Sequence, residues 1–87
     1  MRPMNYAILK LFESGKTFDA EAVMDELRAQ YGDFRSFKKV NIIDSLMSAE
    51  KNGLLELTDY ELDENSELHI YYTATEYGEG MIKQYIK

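Results

Sequence analysis

The chain of 87 residues predicts an α+β fold of one domain, built from three helices, a two-stranded β-hairpin and a fourth helix. Three observations carry this reading. Apolar residues recur at helical spacing in three segments before residue 53. The pattern then changes to alternation, with Leu68, Ile70, Tyr72 and Ala74 separated by His69, Tyr71 and Thr73. Gly15, Gly32 and Gly53 each fall where a helical pattern stops.

The first helix starts at Pro3, since proline suits the first helical turn. Ile8, Leu11 and Phe12 share a face, with Met4 and Ala7 beside them, and Gly15 is the expected cap. Lys16-Thr17-Phe18 reads as a short extended piece. Asp19 is a good N-cap for the second helix, and Glu21 sits in its first turn, where negative charge is favoured. Val23, Leu27 and Tyr31 form its inner stripe, with Ala20 and Met24 alongside, and Gly32 closes it. After a turn at 33–35, the third helix is expected over 36–52. Ile42, Leu46 and Ala49 lie on one line, and Val40, Ile43 and Met47 on an adjacent one. So wide an apolar arc predicts contact with two or three neighbours. Asn41, Asp44, Ser45, Ser48 and Asn52 fall on the opposite face.

Two strands follow at 54–62 and 67–74, around a turn at 63–66. In the first, Leu55 and Leu57 have one parity while Tyr60 and Leu62 have the other. A regular strand cannot keep both pairs on one face, so a β-bulge near Thr58 or Asp59 is expected, or a twist that sends the outer half elsewhere. Thr75 caps a last helix carrying Met81, Ile82, Tyr85 and Ile86.

Composition narrows the function. At 45% hydrophobic and 13% aromatic residues the chain has the apolar material to fold, which argues against disorder. The absence of cysteine removes disulfides, thiolate nucleophiles and cysteine-based zinc sites. No apolar run approaches the roughly 20 residues of a spanning helix, and residues 1–6 lack a secretion signal, so a soluble cytoplasmic protein without membrane contact is expected. The net charge of −6 is unevenly placed. Residues 1–53 hold eight acids and eight bases, whereas 54–87 hold eight acids against Lys83 and Lys87. Overall acidity repels nucleic acid at long range but leaves room for a local basic patch.

The parts of an enzyme are missing. With no cysteine and one histidine there is no ready nucleophile–base pair, the five glycines are too scattered to cradle phosphate, and surface carboxylates lack tuning by burial. Neither an enzyme nor a cofactor is expected. Asp59, Glu61, Asp63, Asn65 and Glu67 recur at every second position, but Glu64 stands where a calcium loop needs glycine and Ile70 where it needs glutamate, so no metal site is expected. His69 has no second histidine, and a solitary strand histidine is expected to be exposed. Tyr71, Tyr72, Tyr77 and Tyr85 lack the interleaved bases of a single-strand stacking platform.

The order of elements, with Glu50-Lys51-Asn52-Gly53-Leu54-Leu55-Glu56 ending the third helix and Tyr72-Thr73-Ala74-Thr75-Glu76-Tyr77-Gly78 leaving the hairpin, resembles the winged helix-turn-helix domain of MarR- and PadR-like transcriptional regulators. The second segment is similar to their Tyr-x-Leu-Thr-x-x-Gly exit from the wing, with Ala74 where leucine is usual. The resemblance implies a homodimeric regulator that reads duplex DNA with its third helix. The positions it implies for DNA contact are Arg35, Ser36, Lys38, Lys39, Asn41, Ser45 and Ser48. Arg35, Lys38 and Lys39 would neutralise phosphates at the helix start, and Asn41 carries the donor and acceptor that read adenine.

The wing departs from that expectation. Between Leu54 and Thr75 stand Glu56, Asp59, Glu61, Asp63, Glu64 and Glu67, with no base. These acids offer phosphate nothing; they protect strand edges, or they attract a basic protein partner. The alternative function is therefore a winged-helix protein–protein interaction module that binds no DNA and uses its acidic wing. Tyr60, Leu62, Leu68 and Ile70 at the outer half of the hairpin are candidate interface residues if exposed, or core if the hairpin curls back. Met81, Ile82, Tyr85 and Ile86 on the last helix are the other candidates, for a dimer contact.

Overall fold

Pro3 starts the chain's first helix through its carbonyl, which accepts from the Tyr6 and Ala7 amides at 3.0 Å. In the computed structural model, which describes residues 1–87, α1 spans Met4–Leu11 and tightens into a 3₁₀ turn at Phe12–Ser14. Gly15 follows at φ 79°, the left-handed cap the sequence leads one to expect. Asp19 caps α2 (Ala20–Tyr31), its Oδ1 accepting from the Ala22 amide at 2.8 Å.

The third helix, α3, spans Lys39–Lys51 and is shorter than expected. Its start is set by aromatic packing. Tight turns over 33–37 stack Phe34 edge-on to Tyr31 at 5.1 Å and bring Phe37 within 5.9 Å of the Arg28 guanidinium. Lys38 is extended, at φ −132° and ψ 145°, so Arg35 and Ser36 lie in the preceding turn and not on the helix.

β1 (Leu55–Leu62) and β2 (Leu68–Ala74) pair antiparallel, and the expected bulge is present. Leu57 faces Tyr72 and Asp59 faces Tyr71, leaving Thr58 without a partner. Beyond it, Tyr60 faces Ile70 and Leu62 faces Leu68. One extra residue thus returns Tyr60 and Leu62 to the side of Leu55 and Leu57. Phe18 bridges Tyr72 on the other edge of β2 through two backbone hydrogen bonds of 3.0 and 2.9 Å, which leaves β1 as the free edge.

The core lies among α1, α2, α3, the base of the hairpin and α4 (Glu76–Tyr85). Its largest fully buried side chains include Tyr31, Phe12, Ile8, Ile42, Leu46, Leu55, Ile82 and Val23, each worth about 1.5–3 kcal/mol of transfer free energy for the aliphatic and phenyl groups. Two expectations are corrected. Ile82 and Ile86 are core residues and not interface residues, because α4 folds back over the 3₁₀ turn and Lys10 Nζ donates to the Ile86 carbonyl at 3.0 Å. Only Met81 and Tyr85 of that set retain access to a partner. The second line of α3 is not packed by neighbours either: Val40, Ile43 and Met47 stay exposed, because the hairpin diverges from α3 above its base.

A backbone junction fixes α4. The Thr75 hydroxyl accepts from the Gly78 amide at 2.8 Å and donates to the Gly53 carbonyl at 2.6 Å, while the Thr75 amide donates to the Leu54 carbonyl at 3.0 Å. Gly78 lies so close to that strand that a Cβ would fall 1.9 Å from the Leu54 oxygen. Gly80 has open space. Gly78→Ala is therefore expected to cost about 1–3 kcal/mol or more by forced backbone movement. Thr75→Ala should cost about 1 kcal/mol, and Gly80→Ala should stabilise by up to about 1 kcal/mol. Thermal melts of the three variants check the order, and equal melting temperatures for Gly78→Ala and Gly80→Ala would refute the junction.

Candidate nucleic-acid interface

The start of α3 holds the cations expected to meet phosphate, and the structure separates them. Arg35, Ser36 and Lys38 are exposed around the N-cap. Lys39 turns away and pairs with Glu21 at 3.0 Å, a contact that raises its pKa and spends its charge. Asn41 donates from Nδ2 to the Ser36 carbonyl at 3.0 Å, which ties the turn to the helix and leaves its own carbonyl oxygen available. Ser45 donates to Asn5 Oδ1 at 2.8 Å and so faces α1. Ser48 is exposed beside Asn5, Asp44, Ser45 and Asn52 in a shallow groove between α1 and α3, which Ile8, Leu9, Ala49 and Leu54 also line.

The outward arc of α3, opposite Ile42, Leu46 and Ala49, is formed by Val40, Asp44, Met47 and Lys51. Sequence reading assigned the first and third of these to a packed stripe and omitted Lys51. Their spacing of four, three and four was the signal that they form one line. The arc is mixed, with Val40 60% and Met47 44% exposed between one acid and one base.

The hairpin's outer face carries Glu56, Asp59 and Glu61 on β1 opposite Thr73, Tyr71 and His69 on β2. The Tyr71 hydroxyl donates to Glu61 at 2.7 Å, and this bond pushes the phenol up to about 12. At the tip, Asp63 Oδ1 accepts from the Asn65 and Glu67 amides at 2.8 and 3.0 Å, and Ser66 takes the left-handed conformation at φ 62°.

His69 is the residue that sequence reading placed wrongly. It is not exposed: its side chain is 13% accessible and lies between two carboxylates, with Nδ1 2.8 Å from Asp19 Oδ2 and Nε2 2.9 Å from Asp63 Oδ2. The bond to Asp63, then that to Asp19, lifts its pKa to about 9, so at neutral pH both ring nitrogens are protonated and donate. Asp63 is held below the usual carboxylate range by His69 and by the two turn amides. The imidazolium thus ties the hairpin tip to the start of α2. Glu21 and Glu67 bring further carboxylate oxygens near His69.

Between α3 and the inner face of the hairpin lies a small apolar cleft of about 70 Å³, lined in part by Ile43, Leu46, Met47, Leu68, Ile70 and Tyr72. Tyr60 and Leu62 continue its hairpin wall outward, each 68% exposed, and Leu68 is exposed beside them. The hairpin therefore does not curl back over its outer apolar half.

No family model matches the chain, and no curated protein does. Among solved structures, Bacillus subtilis PadR in complex with operator DNA is similar over 99% of this chain, with a TM-score of 0.76 and 22% identity. This chain covers 48% of that one. A PadR-like transcriptional regulator from Bacillus cereus is similar over 93% of this chain and 75% of its own, with a TM-score of 0.68 and 17% identity. The chain has the winged-helix fold of these proteins.

The clamp predicts a pH dependence. His69 gains its carboxylate partners on folding, so its pKa rises from 6.5 to about 9. The stabilisation is complete below pH 6.5 and is lost as the pH rises toward about 9. Asp63 acts in the opposite sense, its share being lost in acid. His69→Gln is expected to remove the fall in melting temperature between pH 6.5 and 9. Parallel melting curves for both proteins across that range would refute the clamp.

Proposed function

We propose that this chain is a DNA-binding unit of a transcriptional regulator, which sets α3 against duplex DNA. The observation that supports this reading is a fold shared along nearly the whole chain with a protein crystallised on operator DNA. The start of α3 adds to it. Arg35, Ser36 and Lys38 surround a helix N-terminus, which attracts phosphate through its free amides and its dipole. Lys51 supplies a third cation at the other end of the helix.

Base contact falls to the outward arc and its flank. Val40 and Met47 suit a thymine methyl, Asp44 accepts from a cytosine amino group, and the Asn41 carbonyl and Ser48 hydroxyl complete the set. Lys39 and Ser45 serve internal contacts and contribute less.

Three unpaired cations are few against the ~6–10 phosphate contacts of a tight binder. A homodimer doubles them and gives two half-sites. The surface of α4 that remains open for such a contact is the line of Tyr77, Met81 and Tyr85.

Duplex binding against salt tests the reading. Three neutralised phosphates give a slope of log K on log salt of about −3, and a dimer gives about −5. Arg35→Glu with Lys38→Glu is expected to lower affinity at least tenfold, and Lys39→Gln by much less. Absence of binding to mixed duplex at low salt, with no site enriched from a random library, would sink the proposal.

A further inference from the structure

We propose that the cleft between α3 and the inner face of the hairpin is a docking site for a basic, amphipathic helical segment of a partner protein. The cleft is lined by Leu46, Ile70 and Tyr72 and by the exposed Ile43, Met47 and Leu68; Tyr60 and Leu62, exposed beyond it, pair across the hairpin with Ile70 and Leu68. An apolar groove of this form takes the spaced anchors of an amphipathic helix. Large side chains left open on two facing elements mark a contact surface, since scattered single ones would not line a common cleft.

Charge selects the occupant. At the hairpin tip Glu64 and Glu67 form no ion pair, while Glu56, Asp59 and Glu61 lie on the face turned away from the cleft. Asp44 and Glu50 on the exposed side of α3 form none either. The two cations lining the cleft are both paired, Lys39 with Glu21 and His69 with Asp19 and Asp63. A second copy of this chain brings a charge of −6 to a rim that is already negative, and a phosphate backbone is repelled by the same rim. A helix with lysine and arginine flanking its apolar anchors meets complementary charge on both sides of the cleft.

Met47 belongs both to this cleft and to the outward arc of α3, so a docked helix and duplex DNA compete for α3. That consequence rests on the DNA-binding reading; the docking itself does not.

The test is a titration of the full chain, labelled for amide NMR, with a synthetic amphipathic Leu/Lys helical peptide. A Leu/Glu peptide of the same pattern and an oligolysine of the same charge are the controls. One-to-one binding is expected, with shifts confined to 43–47 and 60–70. Met47→Ser with Leu68→Ser should weaken it at least tenfold, and so should Tyr60→Ser with Leu62→Ser, a pair too exposed to hold the fold together. Glu64→Lys with Glu67→Lys should weaken it several-fold. Equal binding of the Leu/Glu peptide overturns the proposal, as does oligolysine binding as tightly as the Leu/Lys peptide. A dimer in sedimentation that Met47→Ser with Leu68→Ser dissociates gives the cleft to a second copy and also overturns it. Peptide binding without duplex binding upholds this inference and removes the DNA-binding reading; duplex binding along α3 with no peptide binding does the reverse.

Discussion

Thr58 is skipped in the register of β1 against β2, with only its hydroxyl reaching the Tyr71 carbonyl, and the shape of the hairpin follows from that skipped residue. A strand alternates its side chains strictly, so Leu55 and Leu57 cannot share a face with Tyr60 and Leu62 unless one residue is skipped. The bulge skips it. All four then lie opposite Ala74, Tyr72, Ile70 and Leu68, and every carboxylate of β1 is sent to the other face. The same irregularity disturbs the free edge of β1, where a row of unpaired backbone groups would otherwise template another strand. A single local choice thus produces an apolar inner face, an acidic outer face and a guarded edge.

The two ends of the hairpin are held by different forces. At its base, Leu55, Tyr72 and Ala74 are core residues, and the Gly53–Thr75–Gly78 junction locks the strand ends to α3 and α4 through backbone contacts. At its tip there is no apolar burial, and a protonated histidine between Asp19 and Asp63 takes its place. Asp19 serves twice, one oxygen capping α2 and the other binding His69. The attachment of the hairpin tip to the start of α2 therefore runs through one imidazole.

α3 presents two different surfaces as a result. Toward its N-terminus, Arg35, Ser36 and Lys38 surround free backbone amides, an arrangement suited to phosphate. Toward the hairpin, Ile43 and Met47 line an apolar cleft with an acidic rim, an arrangement suited to a basic polypeptide. The two surfaces share Met47.

Local chemistry made most of the architecture legible from the residues alone. Asp19 and Thr75 as caps, Gly15 and Gly53 as left-handed stops, the parity break near Thr58 and the exit through Gly78 each act within a few positions along the chain. What remained hidden needed partners far apart in sequence. His69 meets Asp19 fifty positions away, Lys39 meets Glu21 eighteen away, and Ser45 meets Asn5 forty away. These contacts decide which candidate DNA-binding residues are free and which are spent. Periodicity likewise identified Ile82, Ile86, Val40 and Met47 as apolar lines, but it could not say which line is covered. Burial depends on where neighbouring elements come to rest: α4 folded down onto the 3₁₀ turn after α1, and the hairpin's outer half stood away from α3. Elements and turns are set by interactions within the local chain, whereas the accessibility and charge state of a surface are set by packing between elements, which only the tertiary structure decides.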